Sequence, residues 1–331
     1  MRIACLIGAV IAGLSGGTLA RSSEPVVPKL PAALAIGPHG RLYIADDGRD
    51  QILVRRADGS FSVVAGTGRS GFSGEGGVAV DARLGRPQGM AFARDGTLYF
   101  ADSKNNRIRA ISPAGRIRTI AGNGRFGWLE TGMHARSSPL AEPSDVKVTR
   151  GGRLVIATAQ EVVEMSPDGT MNRLVGLRKL NGVAGLDRPA TEAAADSPDG
   201  VALDAAGDLF IAGFATKALL VVTPVGILRL VDDAFYPRGD AGLATAPNGS
   251  VLGMETTRIV RVSPTRVSTV FDFLHRKVSG LRGTFVPGGI AVAANGDVYV
   301  DAFGGNGWGD RSMLLVVHPN GRYAVLWAAP R

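Results

Sequence analysis

The sequence is short of the residues that usually carry covalent or metal chemistry. Its one cysteine, Cys5, stands at the extreme start of 331 residues, so no disulfide, thiolate pair or cysteine nucleophile can support the fold. The four histidines, His39, His134, His275 and His318, never pair at metal-ligand spacing, which argues against a three-histidine zinc site. No G-x-S-x-G nucleophile elbow occurs, and no G-K-[ST] follows a glycine loop, so a serine hydrolase of that type and a Walker site both lack their signatures. The tripeptide Arg238-Gly239-Asp240 reads as a chance loop in a Gly- and Arg-rich chain. Aromatics make up 6% of the chain, and no basic-aromatic stripe of the kind that binds nucleic acid is present.

Long apolar runs are scarce too. The run from Ile3 to Leu14 is broken by Ser15, Gly16, Gly17 and Thr18, short of the roughly 20 residues a membrane span needs. Led by Arg2 and trailed by small residues up to Ala20, it has the layout of a secretory leader cut after Ala20. An uncleaved anchor is the alternative. Cleavage would leave 36 basic against 29 acidic residues, a net charge of +7. A basic exported protein is drawn to anionic walls, membranes or polysaccharides, although no basic run localises this charge.

What is plentiful is glycine, 46 residues, and it is spaced. Pro87–Gly96 reads PQGMAFARDG. The same frame recurs at Pro31–Gly40, Pro143–Gly152, Pro198–Gly207 and Pro287–Gly296, and at Asp240–Gly249 with Asp replacing Pro. The closing glycines are 56, 56, 55, 42 and 47 residues apart. After each comes a second apolar stretch (LYIAD, LYFAD, LVIAT, LFIAG, VLGME, VYVDA), then a third, a second turn and a fourth. Short runs rich in Val, Ile, Leu and Tyr between Gly, Pro, Asn and Asp read as strands. Four antiparallel strands at this period make a propeller blade, and a ring of blades buries faces that a single blade cannot. The expected fold is all-β: a six-bladed β-propeller with four antiparallel strands per blade. The expected plan is a signal peptide over 1–20, a linker over 21–29 and the propeller over 30–331.

Two segments, AGTGRSG at Ala65–Gly71 and AGNGRFG at Ala121–Gly127, carry G-x-G-x-x-G. In a dinucleotide site a helix follows that loop. Here each instead runs into the proline opening the next copy, so both read as blade-to-blade crossings. With the stretches 65–92 and 98–124, they also carry a family likeness: LYFADSKNNRIRAISPAGRIRTIAGNG resembles NHL-repeat propellers. The likeness is strongest over residues 30–124. It implies a propeller fold, and functions ranging from protein- and RNA-binding modules and receptor sensors to some lyases and hydrolases.

In such a blade the glycine turns lie on one face and the long crossings on the other. The long-loop face is the expected site. The repeat frame places Gln88, Ser144, Asp145, Asp199 and Asp240 at the starts of first strands, and Asp46, Asp102, Glu255 and Asp301 at the ends of second strands. Asp145, Asp199, Glu255 and Asp301 are the candidate ligands for Ca²⁺ or another divalent cation, resembling in kind the acidic ligands of gluconolactonase-type propellers. Asp46 and Asp102 have the turn-binding role as their simpler reading. Gln88, Ser144, Asp240, Phe126, Trp128 and Trp308 are candidate ligand contacts. Two functions follow. One is an exported, monomeric, non-catalytic module that binds a protein, a wall glycan or a small molecule, with no nucleic acid and no cofactor. The other is a metal-dependent hydrolase, lactonase or lyase.

Overall fold

In a computed structural model, the described residues are 26–328, apart from 177–182, 196, 214–216, 236–241, 256, 274–283 and 306–311. They form six sheets of four strands in sequence order, and a two-stranded pair, Val183–Ala184 with Ala194–Ala195, in the crossing out of blade three. The first is Pro31–Ile36, Leu42–Asp46, Gln51–Arg55 and Phe61–Ala65. The other blades open with the inner strands Pro87–Phe92, Asp145–Val148, Pro198–Leu203, Leu243–Thr245 and Thr284–Val292. Helix is limited to three-residue 3-10 turns, and no helix of the described residues is long and apolar enough to cross a membrane.

The proline of the repeat frame sits where a strand can tolerate it. Pro31 pairs with Asp46, Pro87 with Asp102, Pro198 with Gly213 and Pro287 with Ala302, each just before a bulge. Pro31, Pro87 and Pro198 are the first residues of their strands and Pro287 stands at a bulge within Thr284–Val292, places where a missing N–H is tolerated. The turn glycines that close each frame, such as Gly96 at φ 83° and Gly207 at φ 92°, occupy the left-handed region where a side chain would be strained.

The hydrophobic core is divided into six clusters, one between each pair of neighbouring blades. Alternate residues of one inner strand serve opposite neighbours: Ala33 and Ala35 join the cluster shared with blade two, Leu34 the one shared with blade six. This is the period-2 pleat applied to a radial sheet. Each deeply buried Leu, Ile or Val contributes about 1.5–3 kcal/mol, and every blade needs both neighbours to bury its two faces.

The ring closes without sharing a strand. Blades one and six are each built from consecutive strands, and their faces meet through Leu34, Phe61, Ala291, Leu314 and Trp327. Phe61 and Trp327 meet edge to face at 6.2 Å. The Ser312 hydroxyl donates to the Lys29 carbonyl at 3.0 Å.

The glycine segments are crossings with one construction used twice. Gly66 and Thr67 N–H donate to Ala79 and Ala82 carbonyls; Gly122 and Asn123 donate to Ala135 and Ser138. The far part of each crossing then pairs with the outer strand of the blade it leads to. Ala79, Ala135 and Ala190 N–H donate to Gly115, Gly169 and Gly226 carbonyls. The crossings thus cover rim edges that would otherwise be open.

Candidate functional site

The first glycine of each crossing is required by a close backbone approach. A Cβ at Gly66 would lie 2.4 Å from the Asp50 carbonyl oxygen, and one at Gly122 would lie 2.2 Å from that of Asn106. Gly124 makes room for a side chain: its Cβ would meet the Arg107 guanidinium at 2.4 Å. Arg107 donates to the carbonyls of Asn105 and Asn123 at 2.7 and 3.1 Å, and lies 3.9 Å over the Phe72 ring. One cation therefore ties the first crossing to the second, on the long-loop face. The other side of Phe72 remains 42% exposed, and Phe126, on the second crossing, 56%. Trp128 is half-buried in the same crossing.

Behind Phe72 lies Arg109, the largest fully buried side chain among the described residues. It donates to the carbonyls of Ser73 and Arg83 at 2.9 and 3.3 Å and stands 3.7 Å from the Asp102 carboxylate. A buried guanidinium is tolerated only with such partners. On the next crossing Glu161 and Arg173 do the same work. Glu161 accepts the Leu129 N–H at 2.6 Å and the Arg173 Nε–H at 2.7 Å, and Arg173 donates back to the Leu129 carbonyl.

The carboxylates named from the repeat frame are engaged within the fold. Asp46 accepts the N–H groups of Lys29 and Leu30 at 2.7 and 2.8 Å. Asp102 accepts the Gly85 N–H at 2.7 Å. Each thus holds the segment that leads into its own blade's first strand. Burial pushes Asp102 up to about 6, against the lowering by the Gly85 N–H, Asn105 and Arg109. Asp145 is fully buried. Its two oxygens accept the N–H groups of Val146 and, in the next blade, Val201, and both lie 2.8 Å from Lys147 Nζ. Burial raises its pKa while Lys147 lowers it. Glu255 pairs with Arg258 at 2.7 Å.

Asp301 falls out of line with Asp46 and Asp102 for a reason of register. Ala302, not Asp301, pairs with the blade's proline, and a one-residue slip turns a side chain to the opposite face. Asp301 is buried, and a Cβ on Gly288 would lie 2.2 Å from its Oδ1. Asp199 is half-buried, Gln88 and Ser144 are buried, and the Ser144 hydroxyl donates to the Pro198 carbonyl of the next blade. Among the described residues no group of three or more His, Cys, Asp or Glu side chains could hold a metal ion. The oxygens of Asp145, taken by two N–H groups and an ammonium, do not suit one. Asp240 and Trp308 lie outside the described residues.

The channel has a cavity at its other end. About 610 Å³ opens where the first strands finish, at the short-turn face, with Ile36, Phe92, Lys147, Leu203, Thr245 and Val292 in its wall. The contacts of Arg107, Arg109 and Lys147 escape a search for catalytic motifs. A signal for two of them was present in the repeat: Arg109 occupies a third-strand position held by Leu53 in blade one and Val260 in blade five, and Lys147 a first-strand position held by alanine elsewhere.

Comparison with known proteins agrees with this architecture. The family model for the teneurin NHL domain matches residues 53–129. The chain is 27% identical over 217 residues to teneurin-m of Drosophila melanogaster, covering 58% of this chain and 8% of that protein. It is 34% identical over 136 residues to the chloroplastic protein SUPPRESSOR OF QUENCHING 1 of Arabidopsis thaliana, covering 38% of this chain and 13% of that one. It thus spans only a small part of these relatives. Similar solved structures include a streptogramin B lyase, with TM-score 0.57 and 12% identity over 91% of this chain and 83% of the other. A gluconolactonase from Xanthomonas campestris has TM-score 0.58 and 14% identity, covering 84% of each chain. A chain of a nidogen/laminin complex has TM-score 0.56 and 13% identity, covering 86% of this chain and 91% of that one. At these identities the likeness concerns the fold, which hosts enzymes and binding modules alike. The chain is a six-bladed β-propeller, and its residues 53–129 match the NHL-domain family model.

Proposed function

We propose that the protein is an exported, non-catalytic binding module that engages a protein partner through its long-loop face. The observation that carries this reading is the division of labour there. The carboxylates Asp46, Asp102, Asp145 and Glu255 are taken up by backbone N–H groups and by Arg or Lys. The crossings, clamped by Arg107, Arg109 and Glu161, hold Phe72 and Phe126 outward. Aromatic side chains on rigidly held loops bind at low entropic cost. The nidogen/laminin complex offers a propeller of similar fold in a protein assembly.

The test is capture from an envelope extract by the immobilised protein, comparing wild type with a Phe126→Ala, Trp128→Ala double variant. Loss of a captured protein in the variant supports the reading, and unchanged capture removes this face from it. Elemental analysis of the purified protein addresses the metal-dependent hydrolase or lyase. A stoichiometric divalent ion, with a calcium-dependent rise in Tm, would favour that alternative. Export predicts a mature N-terminus at Arg21, read by mass spectrometry.

A further inference from the structure

The inner strands are a six-fold repeat with one exception. Five of them keep small residues at the same two positions: Ala33 and Ala35, Gly89 and Ala91, Gly200 and Ala202, Gly242 and Ala244, Gly289 and Ala291. The third blade has Asp145 and Lys147. Packing does not require this, because five neighbours pack with a hydrogen or a methyl. Burying an ion pair also carries a desolvation cost that Coulomb attraction only partly offsets. A costly exception in an otherwise uniform ring marks a position with another role.

The geometry shows where that role is exercised. Asp145 is sealed, at 0% side-chain exposure, while Lys147 keeps 18% and lines the short-turn cavity. The ammonium lies 2.8 Å from both Asp145 oxygens. Two of its three N–H groups meet that demand, which leaves the third for an acceptor in the cavity. Arg150, exposed in the turn that follows, lines the same cavity. Among the described residues Asp204 is the one acidic side chain in the wall, and its Oδ1 already accepts the N–H groups of Ala206 and Asp208 in its own turn. Apolar side chains of Leu34, Ile36, Met90, Phe92, Ile290 and Val292 line other parts of the wall, with Thr149, Thr245 and turn backbone beside them. A volume of about 610 Å³ lies within the range of small-molecule sites.

We propose that the short-turn end of the channel binds a small amphiphilic anion: a carboxylate or sulfonate with an apolar body. The anion meets Lys147 and Arg150 on one side of the channel, and the body lies against the aliphatic wall opposite. Asp145 fixes the Lys147 ammonium in place, so the site is formed before ligand arrives. This site stands apart from the long-loop face, and neither reading needs the other.

Calorimetric titration of the full chain with octanoate and with 1-octanol tests it, because the two share an apolar body and differ in charge. Octanoate is expected to bind at least about tenfold more tightly, the scale of a charge-assisted hydrogen bond. The double variant Asp145→Gly, Lys147→Ala restores the pattern of the sister blades and should fold as they do, with the preference for octanoate abolished. Arg150→Ala, at an exposed position, should lose about fivefold in octanoate affinity with 1-octanol unchanged. Equal or undetectable binding of both probes by wild type overturns the proposal. So does a folded double variant that keeps the octanoate preference. If the double variant fails to fold, the wild-type comparison and Arg150→Ala still decide.

Discussion

The crossings out of blades one, two and three solve a packing problem in one way, and the blades after them solve it in another. Radial sheets diverge toward the rim and leave a gap between neighbours. Where the repeat period is 55 or 56 residues, a layer of backbone fills that gap: Ala79, Ala135 and Ala190 are 1–3% exposed and hydrogen-bonded to the next blade's outer turn. Where the period falls to 42 and 47, large rings fill it. Phe235 lies in the cluster between blades four and five, and Phe271 and Phe273, 4.9 Å apart, in that between five and six. Phe271 takes the register position of Ala65 and Ala121. Of these two fillings, the one made of extra chain also carries Phe72 and Phe126 outward.

The comparison can be broken most severely at Arg109. Arg109→Ala removes the ties to Ser73 and Arg83 and strands the Asp102 carboxylate, and chemical denaturation should show a loss of about 3–5 kcal/mol. Between blades five and six Phe271→Ala leaves a cavity in a buried cluster, a loss of about 3–4 kcal/mol by the same measurement. Gly122→Ala forces a Cβ against the Asn106 carbonyl at positive φ and should cost about 3 kcal/mol. Gly226→Ala, with nothing within 4 Å of its added Cβ, should cost only about 1.

A pH series sharpens the account of Asp102. Its folded pKa is raised to about 6 from 3.8, so the folded state holds a proton that the unfolded state has released. This group's stability contribution is therefore lost as pH rises through that window. Asp102→Asn should remove a downward slope in Tm between those pH values, and an unchanged slope would assign it elsewhere. Smallest in stability is Phe126→Ala, expected within about 0.5 kcal/mol of wild type because the ring is 56% exposed, with its effect confined to partner capture.

The fold was legible because it repeats. Pro31, Pro87, Pro198 and Pro287 stand where a missing N–H is tolerated, and the turn glycines where a side chain would be strained, and repetition makes such weak signals add. The site was less legible for the same reason. The frame groups acids by their place near the end of the second strand, but VYVDA carries Asp301 one position earlier than LYIAD and LYFAD carry Asp46 and Asp102, which turns it to the other face. Nor does it report which carboxylates are taken: the Val201 N–H that holds Asp145 lies 56 residues away, in another blade. Lys147 stood in plain view as a departure from alanine, but departures from a repeat read as noise until the cavity beside them is seen.

The seam between blades six and one is a contact of faces, with no strand borrowed across it. In this respect it is a joint like the other five. The chain could therefore be rewired, its present ends linked and new ones opened in the crossing before Pro87, and the same ring should assemble with its opening moved to another spoke. Pulled from its present ends, the ring would part first between Phe61 and Trp327, like a clasp rather than a weld.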